Sequence, residues 1–332
     1  MNARAVLSIV MCAYVASLPI KSTADDRRMQ NGIARESRLP IAGVNIYLRE
    51  IGHGPSSIVL HGGPDFDHSY LLPEMDRLAD SYRLIYYDQR GRGRSAKGVQ
   101  PEDVTLASEI ADLDAVRKHF RLDSVILLGH SWGTVLALEY ALRHPERVSK
   151  LILMNPAPAS KADLAMFRDV YVKKLGADMD RQKEILASPA YQEGDPETVT
   201  ARYRLHFKPA LMRHEDYKKL MTRMHDAFIR QGKDAIKKAR VVEDRLMSDT
   251  WQLDGYDLLP KLRALKVPVL VMGADHDFFP PEIAGHIAQA SSNAYLVVLT
   301  DCGHFSYLEC PDPVRTSVDA FFADRTDSGH QR

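Results

Sequence analysis

Five residues constrain this chain more than any other stretch: Gly129-His130-Ser131-Trp132-Gly133, set between the apolar run Ser124 to Leu128 and a segment of helical period from Trp132 to Arg143. A serine on a sharp turn from strand to helix is held in a strained backbone conformation, and glycines two residues away on either side let strand and helix approach closely. Such a turn presents the serine hydroxyl at the edge of a sheet. Ser131 is therefore the candidate nucleophile, and the N–H of Trp132, the next residue, is a candidate donor to a developing oxyanion.

The rest of the chain supplies the sheet that this turn requires. Short apolar runs rich in β-branched residues recur at Val44 to Ile51, Ser57 to Leu60, Arg83 to Tyr87, Ser124 to Leu128, Val148 to Met154, Val267 to Met272 and Ala294 to Leu299. Segments of helical period lie between them, near Leu71 to Asp80, Val104 to Phe120, Trp132 to Arg143, Glu282 to Gln289 and Val314 to Ala323. This alternation predicts an α/β fold with a mostly parallel sheet covered by helices. Continuous runs such as Ile126-Leu127-Leu128 and Leu151-Ile152-Leu153 fit strands buried on both faces. The one long interruption, 156–252, is charged, helix-prone and poor in strands, which predicts a helical cap inserted between two core segments, 25–155 and 253–332.

A serine hydroxyl needs a base to take its proton, and the base needs an acid to orient it. On a serine turn of this type the chain order is serine, acid, histidine. His304, in Asp301-Cys302-Gly303-His304-Phe305 after the last strand, is the predicted base. The acid is expected on the loop after Val269-Leu270-Val271-Met272-Gly273, where Asp277 is preferred and Asp275, nearer the strand, is read as a turn cap. The other position open to an acid, after Met154, holds Asn155, whose amide cannot stabilise an imidazolium by charge. For the second oxyanion donor, His61-Gly62-Gly63-Pro64 after Leu60 offers the Gly63 amide, with Gly62 as the alternative.

Together, His61-Gly62-Gly63-Pro64, Asp88-Gln89-Arg90-Gly91-Arg92-Gly93-Arg94-Ser95, Ser131-Trp132-Gly133 and Gly303-His304-Phe305 resemble the proline iminopeptidase branch of the α/β hydrolases, over roughly Leu39 to Ala157 and Ala264 to Phe322. The resemblance implies an α/β-hydrolase fold with a cap, and a structural role for the Asp88 to Ser95 loop in shaping the site floor. Two departures bear on substrate. Asp65 stands where those peptidases usually carry a glycine, and Glu193, Glu197, Glu215 and Glu243 match no motif for the cap glutamates that hold a substrate's free α-amine. The expectation is therefore a serine hydrolase for a carboxylic ester or lactone, including a bulky natural product such as a macrolactone. A proline iminopeptidase-type aminopeptidase is the alternative, and a non-enzymatic binding module on a hydrolase scaffold the remote one. Six of the twelve methionines, Met166, Met179, Met212, Met221, Met224 and Met247, fall in the cap beside Phe167, Phe207, Phe228 and Trp251, either lining an adaptable pocket or forming cap core. Arg202, Tyr203, Arg204 and His206 are candidates to contact a polar substrate group.

Composition removes other classes of partner. Lys and Arg total 44 against 44 Asp and Glu, so nothing favours nucleic acid, and no metal-ligand spacing or phosphate loop implies a metal or cofactor. The expected partner is a small ester, lactone or short peptide, with the oligomeric state left open. At the N-terminus, Arg4 precedes sixteen uncharged positions, Ala5 to Ile20, and then Ser22-Thr23-Ala24, the pattern of a signal peptide, 1–24, too short to span a membrane. That predicts export to a periplasm or medium, with no stable membrane insertion of the mature chain; otherwise the chain is cytoplasmic. Cys302 and Cys310 are close in sequence, yet no disulfide is predicted between them.

Overall fold

A computed structural model of the chain describes residues 32–323, so the predicted signal peptide lies outside the described residues. Eight strands form one sheet in the order β1-β2-β4-β3-β5-β6-β7-β8. They are β1 Arg35–Ile41, β2 Val44–Ile51, β3 Ser56–Leu60, β4 Arg83–Tyr87, β5 Val125–His130, β6 Val148–Met154, β7 Val269–Ala274 and β8 Ala294–Leu299. The pairs from β4 through β8 are parallel, while β1–β2 and β2–β4 are antiparallel. Every residue of β5 and β7 is buried, as strands covered on both faces must be.

Seven of these strands coincide with the apolar runs; β1 does not. Its sequence, Arg-Glu-Ser-Arg-Leu-Pro-Ile, alternates between half-buried and exposed positions at the sheet edge, so little apolar signal marks it. What forms it is the hairpin with β2, closed by Ala42 (φ 44°) and Gly43 (φ 83°), two consecutive positive-φ residues that match the twist of paired strands. The glycine was the available clue. β7 starts two residues later than its apolar run because Pro268 cannot donate to a central ladder.

Helices fill the connections: α1 Leu106–His119, α2 Trp132–Arg143, α3 Lys161–Leu175, α4 Asp178–Ala187, α5 Pro196–Phe207, α6 His214–Ser248, α7 Pro281–Ala290 and α8 Pro311–Ala323. Thr105 opens α1 with a reciprocal capping box to Ser108. The expected helix at Leu71 to Asp80 is instead two short 3-10 turns, His68–Leu71 and Glu74–Asp80. Between them Leu72 is extended (φ −97°, ψ 152°), as a residue before proline prefers.

The segment between β6 and β7 is helical, α3 to α6, and α6 breaks at Gly232 (φ 75°, ψ 168°). Its apolar side chains, among them Leu164, Val199, Phe207, Met221, Phe228 and Leu246, join the same buried cluster as the sheet. The cap methionines divide: Met221 and Met224 are buried, and Met212 is 44% exposed. One question that the sequence left open is decided by the structure. Cys302 and Cys310 form a disulfide that brackets the loop carrying His304. Sequence spacing could not decide this, because pairing depends on the short helix Ser306–Glu309 turning the chain back on itself.

Candidate active site

Ser131 sits between β5 and α2 with φ 54° and ψ −123°, a conformation an L-residue holds only when its surroundings enforce it. The enforcement is visible. Its N–H donates to Met154 O (3.1 Å) and its C=O accepts from Thr134 N (2.9 Å) and Thr134 Oγ1 (2.6 Å). A Cβ on Gly129 would strike the backbone of Gly133, and one on Gly133 would strike the Leu60 carbonyl, so both flanking glycines are required by contact.

His304 and Asp277 are both buried, and His304 Nδ1 lies 2.9 Å from Asp277 Oδ1 and 3.1 Å from Oδ2. Asp277 Oδ1 also accepts from Phe279 N (2.9 Å). The imidazole is enclosed by the edge-on rings of Phe278, Phe279 and Phe305, with centroids 4.5, 5.0 and 5.1 Å away. Asp275 lies elsewhere, accepting from the amides of Asp301 (3.2 Å) and Cys302 (3.3 Å), and so ties the β7 loop to the β8 loop.

Asn155, unable to act as the acid, holds the candidate acid Asp277. Its Nδ2 donates to Asp277 Oδ2 (2.9 Å) and Gly303 O (3.2 Å), and its Oδ1 accepts from Ser306 Oγ (2.6 Å). The amide thereby fixes the carboxylate against the loop that carries His304. No motif announced this role, because the three partners meet only when β6, β7 and the loop after β8 are adjacent.

On the opposite side, Gly63 (φ 122°) has no room for a side chain, since a Cβ would meet Asp65 N and Phe66 N. The alternative donor, Gly62 N–H, is already given to Tyr70 Oη at 2.7 Å. Trp132 opens α2, so its N–H has no intrahelical acceptor and is free in direction for a bound group. Behind this loop, His61 Nδ1 contacts Gly62 O (2.9 Å) while its Nε2 accepts from Gln89 N (3.1 Å). Burial, then the nearby Arg92 guanidinium, lowers its pKa to about 3, so His61 is a neutral strut. Arg92 bonds Glu109 through both oxygens (2.7 and 2.9 Å), fixing the Asp88 to Ser95 loop as a buttress beneath the site.

Ser131, His304, Gly63 and Trp132 line one cavity of about 190 Å³. Most of its wall is apolar, with Phe66, Phe207, Met247, Trp251 and Phe278 among the lining residues. One sector is charged: Asp65, Arg202 and Glu243, with Tyr203 donating its hydroxyl to Asp65 Oδ2. Burial, and then the Asp65 carboxylate, raises Glu243 to about 8. Burial also raises Asp65. His206 lines the cavity, lowered well below its usual pKa by burial, then by Arg202. Of the other cap candidates, Arg204 does not line it, and the remaining glutamates turn outward: Glu193 pairs with Lys237 (3.4 Å), Glu197 with His225 (2.7 Å) and Glu215 with Lys218 (3.0 Å). Among the described residues, no cluster of His, Cys, Asp or Glu could hold a metal ion, and no helix is long and apolar enough to cross a membrane.

A parallel-dominated sheet with a strained serine at the end of β5 is the arrangement expected of an α/β hydrolase, and the comparison with known families gives the same class. The chain belongs to the α/β-hydrolase fold family, matched over residues 58–311, and is a serine hydrolase resembling the proline iminopeptidase branch. It is 29% identical over 286 residues to the proline iminopeptidase of Lactobacillus helveticus, covering 83% of this chain and 94% of that protein. Among solved structures it is similar to the proline iminopeptidase of Mycobacterium smegmatis (TM-score 0.65, 21% identity, 87% of this chain and 98% of that one). It is equally similar to a thermophilic esterase from Thermogutta terrifontis (TM-score 0.64, 20% identity, 87% and 98%). At those identities the solved structures speak to the fold alone.

Proposed function

We propose that this serine hydrolase is an aminopeptidase of the proline iminopeptidase type, releasing a small N-terminal residue through an acyl-enzyme on Ser131. The observation that carries the reading is the carboxylate pair Asp65 and Glu243 on the wall of the cavity into which Ser131 opens. Burial, and then the Asp65 carboxylate, raises Glu243 to about 8 even with Arg202 present, so a further cation beside the pair would favour its ionised form. The α-ammonium of a peptide is such a cation. This revises the weight placed on Asp65 and on the unmatched glutamates in the sequence. Size supports the same direction, since about 190 Å³ lies below the roughly 300 to 1,000 Å³ of pockets for drug-sized ligands and suits one residue better than a macrolactone. The proline iminopeptidases to which the chain is similar support it as well.

In this mechanism His304 Nε2 takes the proton from Ser131 Oγ as the hydroxyl attacks the carbonyl carbon. Asp277 accepts the Nδ1–H of His304 (2.9 Å) and stabilises the imidazolium without taking the proton. The amides of Gly63 and Trp132 receive the oxyanion. Collapse of the tetrahedral species protonates the leaving amine from His304, and a water activated by the same imidazole then frees Ser131.

The apolar remainder of the wall favours a second reading, hydrolysis of an uncharged ester or lactone. Measuring kcat/KM on a proline arylamide, short acyl esters and a macrolactone panel, with Ser131→Ala as control, separates the two. Preference for the arylamide is expected. Preference for an ester or lactone overturns the aminopeptidase reading in favour of the second. We also propose export of the mature chain; the disulfide supports it, since such bonds persist in oxidising compartments. Recovery of unprocessed protein only from cytoplasm would refute that.

A further inference from the structure

Two buried side chains outside the catalytic set join the backbone of the oxyanion loop to the backbone of the base. Tyr70 Oη accepts from Gly62 N (2.7 Å) and lies 2.8 Å from His130 Nδ1, and His130 Nε2 lies 2.9 Å from His304 O. The proton positions follow from the ends of this chain. A carbonyl oxygen only accepts, so His130 carries its proton on Nε2 and donates to His304 O. Its Nδ1 is therefore bare and accepts from the Tyr70 hydroxyl, whose oxygen accepts from Gly62. Tyr70 and His130 thus each accept one hydrogen bond and donate one.

We propose that Tyr70 and His130 are positioning residues that set the spacing between the oxyanion donor at Gly63 and the base at His304. Gly62 is bonded directly to Gly63, and His130 directly precedes Ser131, so the chain of hydrogen bonds meets the nucleophile, the oxyanion loop and the base within one contact each. The rings reinforce it: His130 lies 5.0 Å from the His304 ring and 5.6 Å from Tyr70, and Tyr307 Oη donates to Tyr70 O (3.1 Å). His130 also stays neutral, because burial and the neighbouring His304 both disfavour a second cation there. With both ring nitrogens engaged His130 does not compete for the proton of Ser131, and being neutral it does not repel the imidazolium.

The inference rests on Ser131 acting as nucleophile and His304 as base. The test uses the full chain with p-nitrophenyl acetate as substrate and a methyl trifluoromethyl ketone as the probe that forms a tetrahedral adduct. Tyr70→Phe, which keeps the ring, is expected to lower kcat by roughly 10- to 100-fold, less than the 100- to 1,000-fold of deleting an oxyanion donor outright. KM should stay within about threefold, and the inhibition constant of the ketone should rise in step with the loss of kcat. His130→Leu should behave alike, and His130→Gln, which retains one donor and one acceptor, should recover at least about tenfold. Tyr70→Phe within about twofold of wild type in both kcat and ketone affinity overturns the proposal, as does a His130→Gln no better than His130→Leu when both are folded by circular dichroism. Ser131→Ala keeps the outcomes apart: if it still turns over substrate, the nucleophile assignment fails, and Tyr70 is not the point at issue.

Discussion

The two walls of the cavity are built from different materials. On the sheet side, position is set by backbone: a positive φ at Ser131, glycines that admit no Cβ at 63, 129 and 133, and a carboxylate held by Phe279 N–H and the Asn155 amide. On the cap side, position is set by side chains on helices, Arg202 and Tyr203 on α5 and Glu243 and Met247 on α6. The first wall is stiff because changing it means moving strands. The second is set by side chains alone, so substitutions there can alter which substrate is held while the sheet-side geometry stays, which is how one scaffold serves several substrates. The walls are nevertheless tied, since His304 N–H is donated to Ala210 O (2.7 Å) and Lys174 Nζ to Asp277 O (2.6 Å) from the cap segment.

If that division is right, substitutions on the sheet side lower kcat for every substrate, and substitutions on the cap side change selectivity. The largest effect is expected for Ser131→Ala, on the order of a million-fold in kcat with little change in stability. Asp277→Asn should cost about 10,000-fold. Asp275→Asn should leave kcat within about threefold and cost about 1 kcal/mol of stability from its two amide contacts. The reverse ranking in folded protein, read by steady-state kinetics and thermal denaturation, would remove Asp277 from the site.

Glu243→Gln sharpens the comparison on the other wall. It should lower kcat/KM for a proline arylamide by about 10- to 100-fold, the worth of a charge-assisted contact, and leave a short acyl ester within about threefold. Equal losses on both substrates would mean that Glu243 is structural. Asn155→Ala follows, with about a tenfold fall in kcat, because Asp277 keeps one amide donor and His304 but loses its anchor to the loop after β8. Similar losses in KM alone would argue against an orienting role.

The smallest effect concerns pH. Glu243 holds its proton up to about 8 in the folded chain, against about 4.3 when unfolded. The folded state therefore binds this proton more tightly, and the stability so gained is full below the unfolded pKa and lost as pH rises towards the folded value. Relative to Glu243→Gln, wild type should lose melting temperature between about pH 5 and about pH 8. Parallel Tm profiles would show that the carboxyl is not raised.

Most of the sheet was legible in the sequence, since a strand buried on both faces must be continuously apolar, as in Val125–His130 and Val269–Ala274. So was the turn at Ser131, because glycine is the only residue that its contacts admit. β1 escaped, having one half-buried face and a proline, and the two 3-10 turns before β4 escaped because Pro73 interrupts an otherwise helical pattern.

What the sequence determined by itself is what depends on neighbours along the chain: strand, turn, helix, and the residue types each can hold. The tertiary structure alone decided which distant groups meet. It brought Asn155 to Asp277, Tyr70 to His130, Cys302 to Cys310, and Glu243 rather than Glu193, Glu197 or Glu215 to the cavity wall. On the amphipathic cap helices, charged residues recur at every turn, and the face that turns inward is fixed by packing against the sheet, a contact between segments that no local pattern encodes.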